Sequence, residues 1–63
     1  MHSHQISKYR TGDWVYYQPP HPKPREGPYL VASVPSAGKY ILCLSDGRSV
    51  MGGVEIEEKW LEK

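Results

Sequence analysis

Few side chains in this sequence could do chemistry, and those that could are suited to binding rather than to catalysis. Trp14, Tyr16, Tyr29, Tyr40 and Trp60 offer ring faces. Such faces attract ammonium or guanidinium groups, as in a cage for a methylated lysine, and they stack on unpaired bases at about 1–3 kcal/mol per base. A plainer role competes for three of them. The chain has no Phe, so its core must use tyrosine, and Tyr29 and Tyr40 are expected inside with Trp60 capping the core. Trp14 and Tyr16 escape that role best, because strand alternation puts them on the face opposite Val15. Asp13 and Asp46 are the acidic residues that such a cage would need.

The basic residues form the second candidate set. Up to residue 48 the chain holds six basic and three acidic side chains, and beyond it two basic and four acidic. That split predicts a polarised surface. Arg10 beside the first strand and Lys23 and Arg25 on a loop are the candidates for phosphate contact. Binding of that kind falls with salt, with a slope of about 0.9 per duplex phosphate engaged. The simpler alternative is an ordinary solvated surface.

Covalent and metal chemistry find no footing. Cys43 has no histidine near it in sequence, and Ser45 and Asp46 are explained by a turn. His2, His4 and His21 lack metal-ligand spacing. The expectation is therefore a non-enzymatic domain with no catalytic residue, no metal site and no cofactor.

The elements that would position these residues are short strands. Tyr9-Arg10-Thr11-Gly12-Asp13 reads as a turn feeding a strand over Trp14-Val15-Tyr16-Tyr17, with Val15 and Tyr17 on one face. The proline-rich stretch from Gln18 to Gly27 is the long loop, predicted in extended polyproline II geometry, where its prolines stiffen the connection. A second strand is expected over Pro28–Val34, with a bulge near Ala32-Ser33 that turns Tyr29, Val31 and Val34 inward. A turn at Pro35–Gly38 leads to a third strand over Lys39–Leu44, with Tyr40, Leu42 and Leu44 on one face. Asp46-Gly47 is a hairpin signal leading to a short fourth strand, Arg48–Met51, which Gly52-Gly53 ends. A 3-10 or short helical turn around Glu57–Lys59 and a brief closing strand complete the chain. Residues 1–8 show no periodicity and are expected as a disordered start or a cloning remnant, leaving residues 9–63 as one domain.

Sixty-three residues with one cysteine and a formal charge of +1 limit the alternatives further. A domain this size buries about 60% of its unfolded surface, with no intrachain disulfide to help. A single cysteine suits a reducing compartment, near-neutrality argues against a dedicated nucleic-acid clamp, and no apolar run reaches the length of a membrane helix. Strands joined by one long loop and tight turns predict an all-β, SH3-like barrel of five short strands with a helical turn near its end.

The run Tyr9-x-x-Gly12-Asp13-x-Val15, followed by Gly27-Pro28-Tyr29-x-Val31, Gly38-x-Tyr40-x-Leu42 and Asp46-Gly47-Arg48, resembles the C-terminal small-barrel domain of retroelement integrases. More loosely it resembles Tudor and chromo-barrel modules. The resemblance spans roughly residues 9–61. It implies a five-stranded barrel without catalysis that binds nucleic acid or chromatin; the location expected for the domain is intracellular, with the nucleus as one option. The acidic end, with Glu55, Glu57, Glu58 and Glu62, departs from the basic character of those integrase domains. Two functions are expected, the first in preference to the second. One is nucleic-acid or chromatin contact through Trp14, Tyr16, Arg10, Lys23, Arg25 and Trp60; the other is a protein-interaction or self-association module using the aromatic strand and open sheet edges.

Overall fold

A computed structural model describes residues 7–63. The chain is all-β, with five strands in one antiparallel sheet. These are β1 (Trp14–Tyr17), β2 (Glu26–Ser36), β3 (Lys39–Cys43), β4 (Ile56–Glu57) and β5 (Leu61–Glu62). Their order across the sheet is β4-β3-β2-β1-β5. Edge strands β4 and β5 are consecutive in the chain and separated only by a 3-10 turn over Glu58–Trp60.

Alternation decides which side of each strand is dry. Val15 of β1, Val31 of β2, and Tyr40 and Leu42 of β3 are fully buried and interlock with Tyr9, Val50, Ile56 and Leu61. Tyr17, Tyr29, Val34, Leu44 and Trp60 are partly buried against that cluster. The expected inward sets are thus present, and the β2–β3 register shifts between Val31 and Ser33, where the bulge was placed. A bulge inserts one residue and restores the inward phase, which lets Val31 and Val34 both reach the core.

The structure departs from the sequence reading in four places. Strand β2 runs from Glu26 to Ser36, two residues longer at each end than expected, and takes in Pro35. The expected fourth strand shrinks to one bridge, Cys43 with Ser49, and Met51–Gly53 instead forms a 3-10 turn. Pairing with β3 resumes at Ile56–Glu57, a strand the sequence reading left unassigned. The proline loop is not extended throughout, since the Lys23 N–H donates to the Pro20 carbonyl at 3.2 Å and closes a turn. For β2 and β4, pairing with a neighbouring strand rather than local propensity decides the extent.

Gly27 is required where β2 crosses β1. Its φ is +120°, and a Cβ there would stand 3.1 Å from the Val15 carbonyl oxygen and 3.1 Å from the Tyr29 nitrogen. Both are backbone atoms that cannot yield, so only glycine lets the strands approach this closely.

Ser7 and Lys8, grouped with the opening segment in the sequence reading, hydrogen-bond to the domain. Ser7 Oγ accepts from the Gly38 N–H at 3.2 Å, and the Lys8 N–H donates to Glu58 Oε1 at 3.0 Å. The remainder of that segment, with His2 and His4, lies outside the described residues.

Candidate binding face

Tyr9 and Tyr40 show where aromatic mass goes to structure. Their rings meet at 5.5 Å in a tilted arrangement. The Tyr9 N–H donates to the Tyr40 hydroxyl at 3.1 Å, and the Tyr9 hydroxyl donates to the Leu61 carbonyl at 3.2 Å. The Tyr40 hydroxyl donates in turn to Glu58 Oε1. Burial and then the Glu58 hydrogen bond push the Tyr40 hydroxyl above the ordinary tyrosine range, whereas the Tyr40 and Lys8 donors hold the Glu58 carboxyl below the usual carboxylate range. Tyr29 is likewise half-buried, its hydroxyl donating to Glu26 Oε1 at 3.0 Å, and burial with that bond raises it too. Tyr40, fully buried, is not available as a cage wall, and Tyr29 is half-committed to the core.

The other face of the sheet is different. Trp14 pairs across with Leu30, Leu30 with Cys43, and Cys43 with Ser49, so these side chains form a row across the strands opposite the core. Trp14 is 49% exposed, and Leu30 and Cys43 are half-buried. One step along the same face of β1 stands Tyr16, directly across from Glu62 of β5. The Arg25 guanidinium lies 4.2 Å above the Tyr16 ring centroid and donates through Nη1 to Glu62 Oε2 at 3.1 Å. The loop is folded to deliver it there: Gln18 Nε2 donates to the carbonyls of Pro19 and Lys23, at 3.0 and 3.1 Å.

Four of the six candidates named from sequence thus have definite places. Trp14, Tyr16 and Arg25 share one face. Trp60 sits apart, half-buried against the core on the 3-10 turn between β4 and β5, with Lys59 Nζ 5.3 Å from its ring centroid. Its backbone carbonyl accepts from the Gln18 N–H at 2.8 Å, which ties the 3-10 turn to the residue after β1. Arg10 and Lys23 are exposed and, among the described residues, have no ion-pair partner. The Arg10 backbone N–H donates to Asp13 Oδ2 at 2.9 Å, closing the turn before Trp14. Sequence reasoning missed Glu62 and Leu30 as members of the face. Glu62 was counted only as part of an acidic end, and no local pattern pairs it with Tyr16.

The polarised surface expected from the charge split is not what folding produces. Arg25 pairs with Glu62 and Lys39 with Glu57, bringing basic residues of the first part against acidic ones of the last. Further pairs join Arg48 to Asp46, Lys59 to Glu57, and Lys63 to Asp13. Five of the eight Lys and Arg side chains are therefore matched by carboxylates. Among the described residues there is no pocket, no gathering of three metal-ligating side chains, and no helix long and apolar enough to cross a membrane. Comparison with family models, curated proteins and solved structures gave no match to this chain.

Proposed function

We propose that this chain is an SH3-like five-stranded barrel acting as a non-catalytic binding module, and that it binds another protein through the outer face of β1 and β2. The strand order supports closure: the edges β4 and β5 are joined by a three-residue turn, which leaves little chain to hold them apart. The observation that carries the binding reading is Trp14, half exposed on a regular strand beside an Arg25–Tyr16 stack. Tryptophan, tyrosine and arginine are the residues that dominate binding energy where proteins meet. The matched surface charges fit a protein partner better than a polyanion, because duplex binding draws on several uncommitted cations at once.

Nucleic-acid or chromatin contact is the second reading, and Arg10 and Lys23 favour it, being basic, exposed and outside the ion pairs. An intracellular setting is part of the proposal, supported by the single free cysteine, which suits a reducing compartment.

A photo-crosslinking residue at position 14, introduced in living cells of the source organism, tests the choice. Protein adducts that are absent when the probe stands at position 48 are expected. Nucleic-acid adducts that vanish with Arg10→Glu and Lys23→Glu together would establish the second reading, and no adduct from position 14 would remove the first.

A further inference from the structure

We infer that the partner is an extended acidic peptide segment, carrying a carboxylate for Arg25 and, with one residue between, a large apolar side chain for Trp14. This rests on the protein-binding reading above and gives it a chemistry.

The geometry around Arg25 is that of a prepared anion receptor. Its guanidinium carbon stands 4.2 Å from the Tyr16 ring centroid, and among the described residues its only polar partner is Glu62, reached through a single nitrogen. Guanidinium is a planar fork that takes carboxylates two bonds at a time, so the remaining donors stay available. The Arg25 and Glu62 side chains are each half exposed, and ion pairs so exposed contribute little to folding. An incoming carboxylate can share Arg25 with Glu62 or displace it without unfolding anything.

Spacing sets the second half of the motif. Tyr16 and Trp14 are alternate residues of one strand, so their side chains project about 6.5–7 Å apart on the same face. Alternate residues of an extended ligand have that same repeat. A peptide laid along β1 with its carboxylate over Arg25 therefore presents its next same-side residue to Trp14 and to the adjoining Leu30.

Charge decides between a peptide and a nucleic-acid strand. One carboxylate asks for one guanidinium, whereas a phosphodiester chain brings a charge with every nucleotide. On this face a strand would meet the Glu62 carboxylate beside the one guanidinium of Arg25. One face of the Tyr16 ring is already taken by Arg25.

The test is selection of short random peptides displayed on phage against the immobilised domain. Enriched peptides are expected to carry Asp or Glu separated by one residue from Leu, Ile, Phe or Trp. A synthetic version of the enriched peptide, acetylated and amidated so that only its side-chain carboxylate remains, is then titrated. Arg25→Ala should weaken it roughly 10- to 100-fold, the range for a hydrogen bond to a charged group, and Arg25→Lys should restore only part. Trp14→Ala tests the apolar half, and since Arg25 and Trp14 are both exposed the variants should keep the fold, which thermal melts verify. Enrichment without an acidic preference, or acidic preference surviving Arg25→Ala, overturns the inference. Peptides that depend on Trp14 yet carry no acidic residue would leave the protein-binding reading standing without it. If no enriched peptide depends on Trp14, or if single-stranded oligothymidylate displaces the peptide, both fall.

Discussion

Replacing Tyr40 by Phe should cost this domain a large share of its stability through one oxygen atom. The side chain is 0% exposed, and its hydroxyl accepts from the Tyr9 N–H while donating to Glu58. Phenylalanine keeps the ring and its packing but leaves that buried N–H unpaired, at about 1–3 kcal/mol, and removes a hydrogen bond to a charged group, worth about 1.5–3 kcal/mol. The two losses overlap, so about 2–4 kcal/mol is expected, against roughly 3–9 kcal/mol of total stability for a chain this short. With a urea m-value near 1 kcal/mol/M, the unfolding midpoint should fall by about 2–4 M at unchanged m. Tryptophan fluorescence in urea is the assay, repeated for Glu58→Gln and the double variant. The amide keeps an acceptor for the Tyr40 hydroxyl, so Glu58→Gln should cost less. The double variant should cost less than the two single losses combined, because both act on the same Tyr40–Glu58 bond. A Tyr40→Phe midpoint within about 0.5 M of the parent would refute this account, since the hydroxyl would then not be holding the Ser7–Tyr9 segment in place.

The same network gives a pH dependence of known sign. Glu58 is depressed in the folded chain, so its contribution is present above the ordinary glutamate value near ~4.3 and is lost as pH falls through the lower folded value. Acid unfolding of Tyr40→Phe should show less of this slope, which melts between pH 2 and 6 would reveal. Gly27→Ala should destabilise by about 1–3 kcal/mol, because φ of +120° and two backbone contacts oppose a Cβ; an unchanged melting temperature would contradict it. Met51→Gly should stabilise by up to about 1 kcal/mol, since Met51 holds φ of +53° without glycine's freedom; calorimetry decides. Raising salt to about 1 M should leave the melting temperature nearly unchanged, since exposed ion pairs are each worth about 0–1 kcal/mol.

The periodicity of this sequence determines a good deal. Alternation around Val15, Val31, Tyr40 and Leu42 identifies the buried face, because a one-residue slip would turn every such side chain to water. The same alternation singles out Trp14 and Tyr16 as outward, and the Asp46-Gly47 turn is written locally, with Asp46 accepting from the Arg48 N–H at 3.0 Å. Composition likewise tells that tyrosine must serve the core, though not which tyrosine.

What tertiary structure alone decides is who stands beside whom at long range. Arg25 and Glu62 lie 37 positions apart, and only the pairing of β5 with β1 places Glu62 next to Tyr16 and under Arg25. Glu58 becomes the anchor for Lys8 across 50 positions because the 3-10 turn between β4 and β5 passes over Tyr40. The +3 and −2 halves of the sequence become a charge-matched surface for the same reason. Charges are placed by whichever backbone carries them, and backbones are placed by the core. Local pattern can name the side of a strand a residue faces, but the neighbour it meets there is chosen by strand order and register.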